Sequence, residues 1–196
     1  MRKIFFTGDL HFGHKSAIDF DNRPFANVVQ MDNELIRRWN NKVGREDLVY
    51  VLGDMICTNN RSEIQNILER LNGRIVLIRG NHDHFLNDSK VLERFEAIKD
   101  YDEIRVTLRD TSKKKLFLSH YFTPMYHGHR YHAIHLHAHS HFSEEADYEV
   151  DFAAYLNSIG CRNEIYNVGC MYWDYEPVTL DEILAHGNAI RPNYGG

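Results

Sequence analysis

Short apolar runs set the rhythm of this chain. "KIFFTG" (3–8), "LVYVLG" (48–53), "RIVLIRG" (74–80), "KLFLS" (115–119) and "HAIHLHA" (132–138) have the length of buried strands rather than of helices. Helical patterns fill the gaps between the first three. "MDNELIRRWNNKVG" (31–44) puts Met31, Leu35, Trp39 and Val43 on one face, and Gly44 ends it. "RSEIQNILERLNG" opens with Ser62 and Gln65 in capping-box spacing, repeats Ile64, Ile67, Leu68 and Leu71, and stops at Gly73. "SKVLERFEAI" (89–98) reads as a shorter helix, and "TLDEILAHG" (179–187) as one capped by Thr179 and Glu182.

Strands alternating with helices predict crossover connections and parallel pairing in the first half. From about residue 101 the pattern changes. "YDEIRVTL" and "KKLFLS", joined by "RDTSKK", read as a hairpin, and "NEIYNVGCMYW" (163–173) as a strand bent at Gly169. The acidic stretch "SEEADYEVD" (143–151) reads as a solvated loop. With no repeat, low-complexity segment or linker, the expectation is one α/β domain over residues 1–196, parallel first and antiparallel afterwards.

Composition narrows the classes without choosing among them. The chain has 196 residues, is 43% hydrophobic and carries a net charge of −5, which argues against disorder and against strong non-specific nucleic-acid binding. No stretch approaches the ~20 apolar residues of a membrane span, and the N-terminal apolar run is too short for a signal segment. The three cysteines, Cys57, Cys161 and Cys170, form no disulfide framework, so a reducing, cytoplasmic setting is expected. Histidine is the outlier: seven of the 13 lie between His127 and His141.

The informative residues follow the apolar runs. After the first come Asp9 and His11, and after the second Asp54. Asn81, His82 and Asp83 follow the third, His120 the fourth, and His139 and His141 the fifth. The C-terminal ends of parallel strands lie along one edge, where ligands bind. Alone, each residue has an ordinary explanation, such as a helix cap, a turn or a core histidine. Together, four histidines, two aspartates and one amide make a mixed nitrogen and oxygen set without thiolate. That set suits manganese, iron, zinc, nickel or cobalt better than calcium or magnesium. Seven ligands exceed one tetrahedral ion, but two ions sharing a carboxylate would use them and leave room for solvent.

The order "GDLH", "GD", "GNHD", "SH", "AHSH" resembles the calcineurin-like metallophosphoesterase superfamily over residues 8–141, and "NRPF" and "YNVG" are similar to its small bacterial and phage members. The resemblance implies a four-layer sandwich of two mixed sheets flanked by helices, with a dinuclear centre at the sheet edges. It places one ion on Asp9, His11 and His141 and a second on Asn81, His120 and His139, with Asp54 bridging and manganese the first choice of metal. It gives His82 the leaving-group oxygen. The implied reaction is hydrolysis of a phosphate mono- or diester, on a nucleotide-type or other small substrate, by a water that the two ions activate. The alternative is a catalytically weak metal-binding scaffold that engages a protein partner.

This sequence departs from the pattern twice. Ala138 stands where the superfamily has a glycine, and Cys57 where it often has the carboxylate that orients the catalytic histidine. A thiol hydrogen-bonds weakly, so His82 is expected to be poorly oriented. His135 and His137, on the incoming strand, are expected to support or pack rather than to ligate. The pocket walls would come from 12–30, 84–90 and 121–135, with His14, Arg23, Arg130 and aromatic residues facing the substrate, and Arg23 either gripping phosphate or held in a structural ion pair.

Overall fold

The computed structural model describes residues 2–87, 89–161 and 164–186, so the ends of the expected 163–173 strand and 179–187 helix lie outside it. In chain order the elements are β1 (Ile4–Thr7), α1 (Ser16–Phe20), α2 (Val28–Lys42), β2 (Leu48–Leu52), α3 (Arg61–Arg70), β3 (Arg74–Ile78), α4 (Ser89–Leu92) and β4 (Phe95–Lys99). They continue with β5 (Tyr101–Thr107), β6 (Lys113–Ser119), β7 (Ile134–His137), α5 (Glu144–Ser158), β8 (Ile165–Asn167), β9 (Val178–Thr179) and α6 (Leu180–His186). Two mixed sheets result, ordered β4-β3-β2-β1-β9 and β5-β6-β7-β8.

Strands β1 to β4 are parallel, as the helical patterns between them require, and β9 closes the edge antiparallel to β1. Both faces of this sheet are buried. Phe5, Val49, Val51, Ile75 and Leu77 pack with Leu35, Trp39, Ile64 and Leu68 of α2 and α3. The alternate residues Phe6, Leu52, Val76 and Ile78 meet Leu116, Leu118, Ile134 and Leu136 of the second sheet. A sheet covered on both sides needs apolar residues at consecutive positions, which is why its strands read as continuous runs.

Five expectations are corrected. Among its described residues, the expected strand 163–173 is a strand only over Ile165–Asn167, and Cys170–Tyr172 forms a helical turn instead. The second sheet is not antiparallel: only β5 and β6 pair that way, while β6, β7 and β8 are parallel. Parallel neighbours need a crossover, and α5 supplies the one between β7 and β8. The acidic stretch 143–151 is therefore helical: Ser143 caps its first turn through Glu145 N–H, and three acidic residues there favour the positive end of the helix. Of the expected helix 89–98, only Ser89–Leu92 is helical, because Phe95 and Ala97 pair with β3 and tertiary pairing overrides local propensity. The cap of α3 is Asn60 rather than Ser62, whereas Thr179 and Glu182 do form the expected reciprocal box.

Candidate metal centre

The loops leaving β1, β2 and β3 are stitched into one surface. Asp9 N–H donates to Gly53 O at 3.1 Å and His11 N–H to Asp54 O at 2.9 Å, so the first two loops continue the pairing of their strands. Asp83 accepts from the N–H groups of Asp54, Met55 and Gly80 at 3.0, 2.8 and 2.8 Å, which locks the third loop to the second. Gly80 is needed there: a Cβ would lie 2.2 Å from Asp54 Oδ1. The second sheet joins through His139 N–H, which donates to Asp9 Oδ2 at 2.9 Å. Ala138 brings no strain, because its room comes from Gly8, where a Cβ would lie 2.6 Å from the Ala138 methyl.

Three groups of metal-capable atoms result among the described residues, each contained within 4.8 Å: Asp9, His11 and His141 in the first, Asp54, His120 and His139 in the second, and His11, His14 and Cys57 in a third that shares His11 with the first. In the first, His11 Nε2 and His141 Nε2 face each other at 3.2 Å, and His141 Nε2 lies 3.8 Å from Asp9 Oδ1. In the second, Asn81 Oδ1 lies 3.0 Å from His120 Nε2. Asp54 Oδ2 stands between the first two groups, 3.8 Å from His11 Nε2 and 3.7 Å from His120 Nε2. Its other oxygen accepts the His82 N–H at 2.8 Å.

The donor set fits divalent cations. Asp9 Oδ1 is buried without a hydrogen-bond partner, a costly condition that a cation would relieve. Burial, aided by the Asp54 charge and opposed by His141, pushes the Asp9 carboxyl up to about 7. Burial also lowers the pKa of His11, His120 and His139, leaving them as neutral imidazoles, the ligating form. Asp9, His11, Asp54, His139 and His141 all have positive φ, between 47° and 73°. Side chains other than glycine visit that region rarely, and such strain collects where function demands a direction.

The supporting residues were less visible in the sequence. His141 Nδ1 donates to Asp21 at 2.8 Å, and the Arg23 guanidinium holds Asp21 at 2.8 Å. Burial works to lower the His141 pKa, but Asp9 and Asp21 outweigh it and hold it above its ordinary value. Arg23 is buried and also donates to the carbonyls of Leu10 and Asp9, so of its two readings the geometry carries the structural ion pair. Its removal would leave the buried Asp21 with His141 as its remaining partner and break a buried ion pair, a loss of about 3–5 kcal/mol. Arg23→Ala should therefore melt roughly 6–20 °C lower. Unchanged melting with a raised KM would return Arg23 to the substrate.

Cys57 has a different neighbour from the one expected. Its Sγ lies 3.1 Å from His11 Nδ1, and His14 Nδ1 lies 3.2 Å from the same nitrogen. The thiol therefore supports a ligand-group histidine, and burial beside Asp54 pushes it up to about 12, so it stays protonated. His82 is exposed, with ring centroids 5.6 Å from His11 and 6.1 Å from His14. No carboxylate among the described residues hydrogen-bonds its ring, and Asp83 is committed to backbone N–H groups. Glu145 approaches His139 Nε2 at 3.4 Å, a contact hidden while 143–151 read as loop. His135 and His137 are buried behind the centre: Nε2 of His135 is 2.9 Å from Ser119 Oγ, and Nε2 of His137 is 3.7 Å from Glu149.

Residues 2–158 match the family model of the calcineurin-like phosphoesterases. The chain belongs to that family. Among relatives of this calcineurin-like phosphoesterase, the uncharacterized protein MJ1445 of Methanocaldococcus jannaschii is 34% identical over 195 residues, 97% of this chain and 96% of the relative. Gene 66 protein of Mycobacterium phage D29 is 33% identical over 131 residues, 62% of this chain and 64% of that protein. A solved protein of unknown function, AQ665 from Aquifex aeolicus, shares the fold, with a TM-score of 0.66 and 23% identity, over 94% of this chain and 99% of its own.

Behind the centre, burial pushes the Glu149 carboxyl up to about 7, against a hydrogen bond from Ser140 and with help from the Glu145 charge. Its folded pKa thus exceeds its unfolded value, so the stability it contributes is full below about 4.5 and is lost as pH rises through about 7. Glu149→Gln should gain on wild type by on the order of 3 kcal/mol between pH ~5 and ~8.5. Thermal melts across that range test it; parallel curves for the two proteins would refute it.

Proposed function

We propose that this phosphoesterase hydrolyses small phosphate esters at a two-ion centre. Asp9, His11 and His141 would hold one ion, Asn81, His120 and His139 the other, and Asp54 would serve both. The observation that carries the reading is Asp54 Oδ2, 3.8 and 3.7 Å from one imidazole of each group. When bound, two such ions lower the pKa of water and neutralise charge developing on a phosphoryl group. Manganese is the proposed metal, since imidazole and carboxylate together suit it.

The chain's own residues supply the rest. His82, fixed through its N–H to Asp54, projects an exposed ring from the same edge and would carry a proton to the departing oxygen. Asp21 holds the His141 ring through Nδ1, and Leu52 O holds His120 through Nδ1 at 2.8 Å. Such outer contacts fix the tautomer and direction of a ligand. The scaffold alternative rested on Cys57, and the contact of that thiol with His11 gives it another part to play. Three free thiols accord with a reducing cytoplasm, and no described helix is long and apolar enough to cross a membrane.

Metal-stripped protein reloaded with Mn²⁺ tests the reading against p-nitrophenyl phosphate and its bis-ester. Two ions per chain and metal-dependent release of nitrophenolate are expected; the ratio of the two rates assigns mono- or diesterase preference. Full metal loading without hydrolysis of either ester would overturn it.

A further inference from the structure

Two aromatic side chains flank the first two metal-capable groups, one at each. Phe20, the last residue of α1, has its ring centroid 5.9 Å from His11, 5.6 Å from His14 and 5.4 Å from His141, with interplanar angles of 82°, 62° and 75°. Tyr121, just beyond β6, lies 4.9 Å from His120 and 4.6 Å from His139, and its hydroxyl points to Asn81 Oδ1 at 3.5 Å. Of these two groups, each ring touches the histidines of one only. A ring placed merely to seal a polar cluster would bury itself, as Phe12 does at 0% exposure. Phe20 and Tyr121 are 52% and 50% exposed. Both side chains are therefore exposed while still touching the histidines of the metal-capable groups.

The charges nearby say what those surfaces can take. Among the described residues, no Lys or Arg side chain pairs with the side chains of the seven ligand-group residues, and Arg23 is buried with its donors engaged. A polyphosphate needs such cations to grip its further charges. A neutral, planar group needs none and gains from an aromatic wall through offset or edge-to-face contact.

We propose that Phe20 and Tyr121 form an aromatic subsite that selects phosphate esters carrying a planar ring, an aryl group or a nucleobase. This rests on the two-ion reading for the position of the phosphoryl group. The ring of the substrate lies against Phe20 or Tyr121 while its phosphoryl group occupies the centre. Aromatic contact of this kind is worth roughly 3- to 10-fold in affinity.

Calorimetry on the Mn²⁺-loaded protein tests this with methylphosphonate, phenylphosphonate and a nucleoside 5′-phosphonate. None has a phosphate ester bond, so an absence of hydrolysis, which would sink the functional reading, leaves this measurement intact. Phenylphosphonate or the nucleoside analogue should bind roughly 3- to 10-fold tighter than methylphosphonate. Whichever gains more shows whether the ring sits beside the phosphorus or a sugar away. Phe20→Leu and Tyr121→Leu keep bulk but remove the aromatic face, and at least one should bring the ratio towards unity with metal content unchanged. Three outcomes would overturn the proposal: no preference or no binding in wild type, a ratio unmoved in both variants, or ion loss in Phe20→Leu with all ligands weakened equally, which would make Phe20 a shield for the histidines.

Discussion

Asp54→Asn protein should hold fewer than two ions per chain and turn over activated phosphate esters about 10³-fold or more slowly than wild type. The amide keeps the shape, and its oxygen can still accept the His82 N–H. What it cannot do is present a negative oxygen where Asp54 Oδ2 now stands, between His11 and His120. An amide nitrogen placed there would aim its hydrogens at the space where cations are expected. Elemental analysis beside the rate separates the two consequences. A variant that kept both ions and full activity would remove Asp54 from the centre and with it the reason for a paired site.

His82→Ala should do the reverse, retaining its metals while losing turnover. General-acid help is typically worth ~10²–10⁴-fold and needs a positioned donor. The His82 ring is exposed and has no hydrogen-bonded carboxylate among the described residues, so the lower part of that range is expected. The loss should grow with the pKa of the leaving group, being slight for nitrophenolate, which departs without a proton, and largest for alkyl esters. Because Cys57 meets His11, Cys57→Asp should tighten metal binding and leave this leaving-group slope alone. Metal loss in His82→Ala, or an equal loss across all leaving groups, would move His82 out of the acid role.

Much of the centre was legible because its parts sit at fixed places in the pattern. A parallel sheet buried on both faces writes each strand as an apolar run, and the residue just after the run is the one that reaches the sheet edge. Asp9, Asp54, Asn81, His120 and His139 were singled out that way. Asp21 was not, because a carboxylate that supports a histidine 120 positions away leaves no local trace. Arg23 was noticed, yet its burial depends on packing that no spacing reveals. The error over 143–151 had a simpler cause. Acidic residues crowd the first turn of α5, and outward-facing Tyr148, Val150, Tyr155 and Ile159 blur its amphipathic period. The short β4 was misread because "FEAI" suits a helix until β3 offers it a partner.

The left-handed backbone at Asp9, His11, Asp54, His139 and His141 sets folding and function against each other. Each such residue costs roughly 1 kcal/mol or more, which over five positions rivals the ~5–15 kcal/mol of net stability of a typical domain. Glycine would relax every one of them. A population of variants sorted only for resistance to heat, without metal, should therefore drift towards glycine at these positions and shed the ligands as it improves. Aspartate and histidine stand there instead, which fixes the proposed ligands on backbone that resists folding.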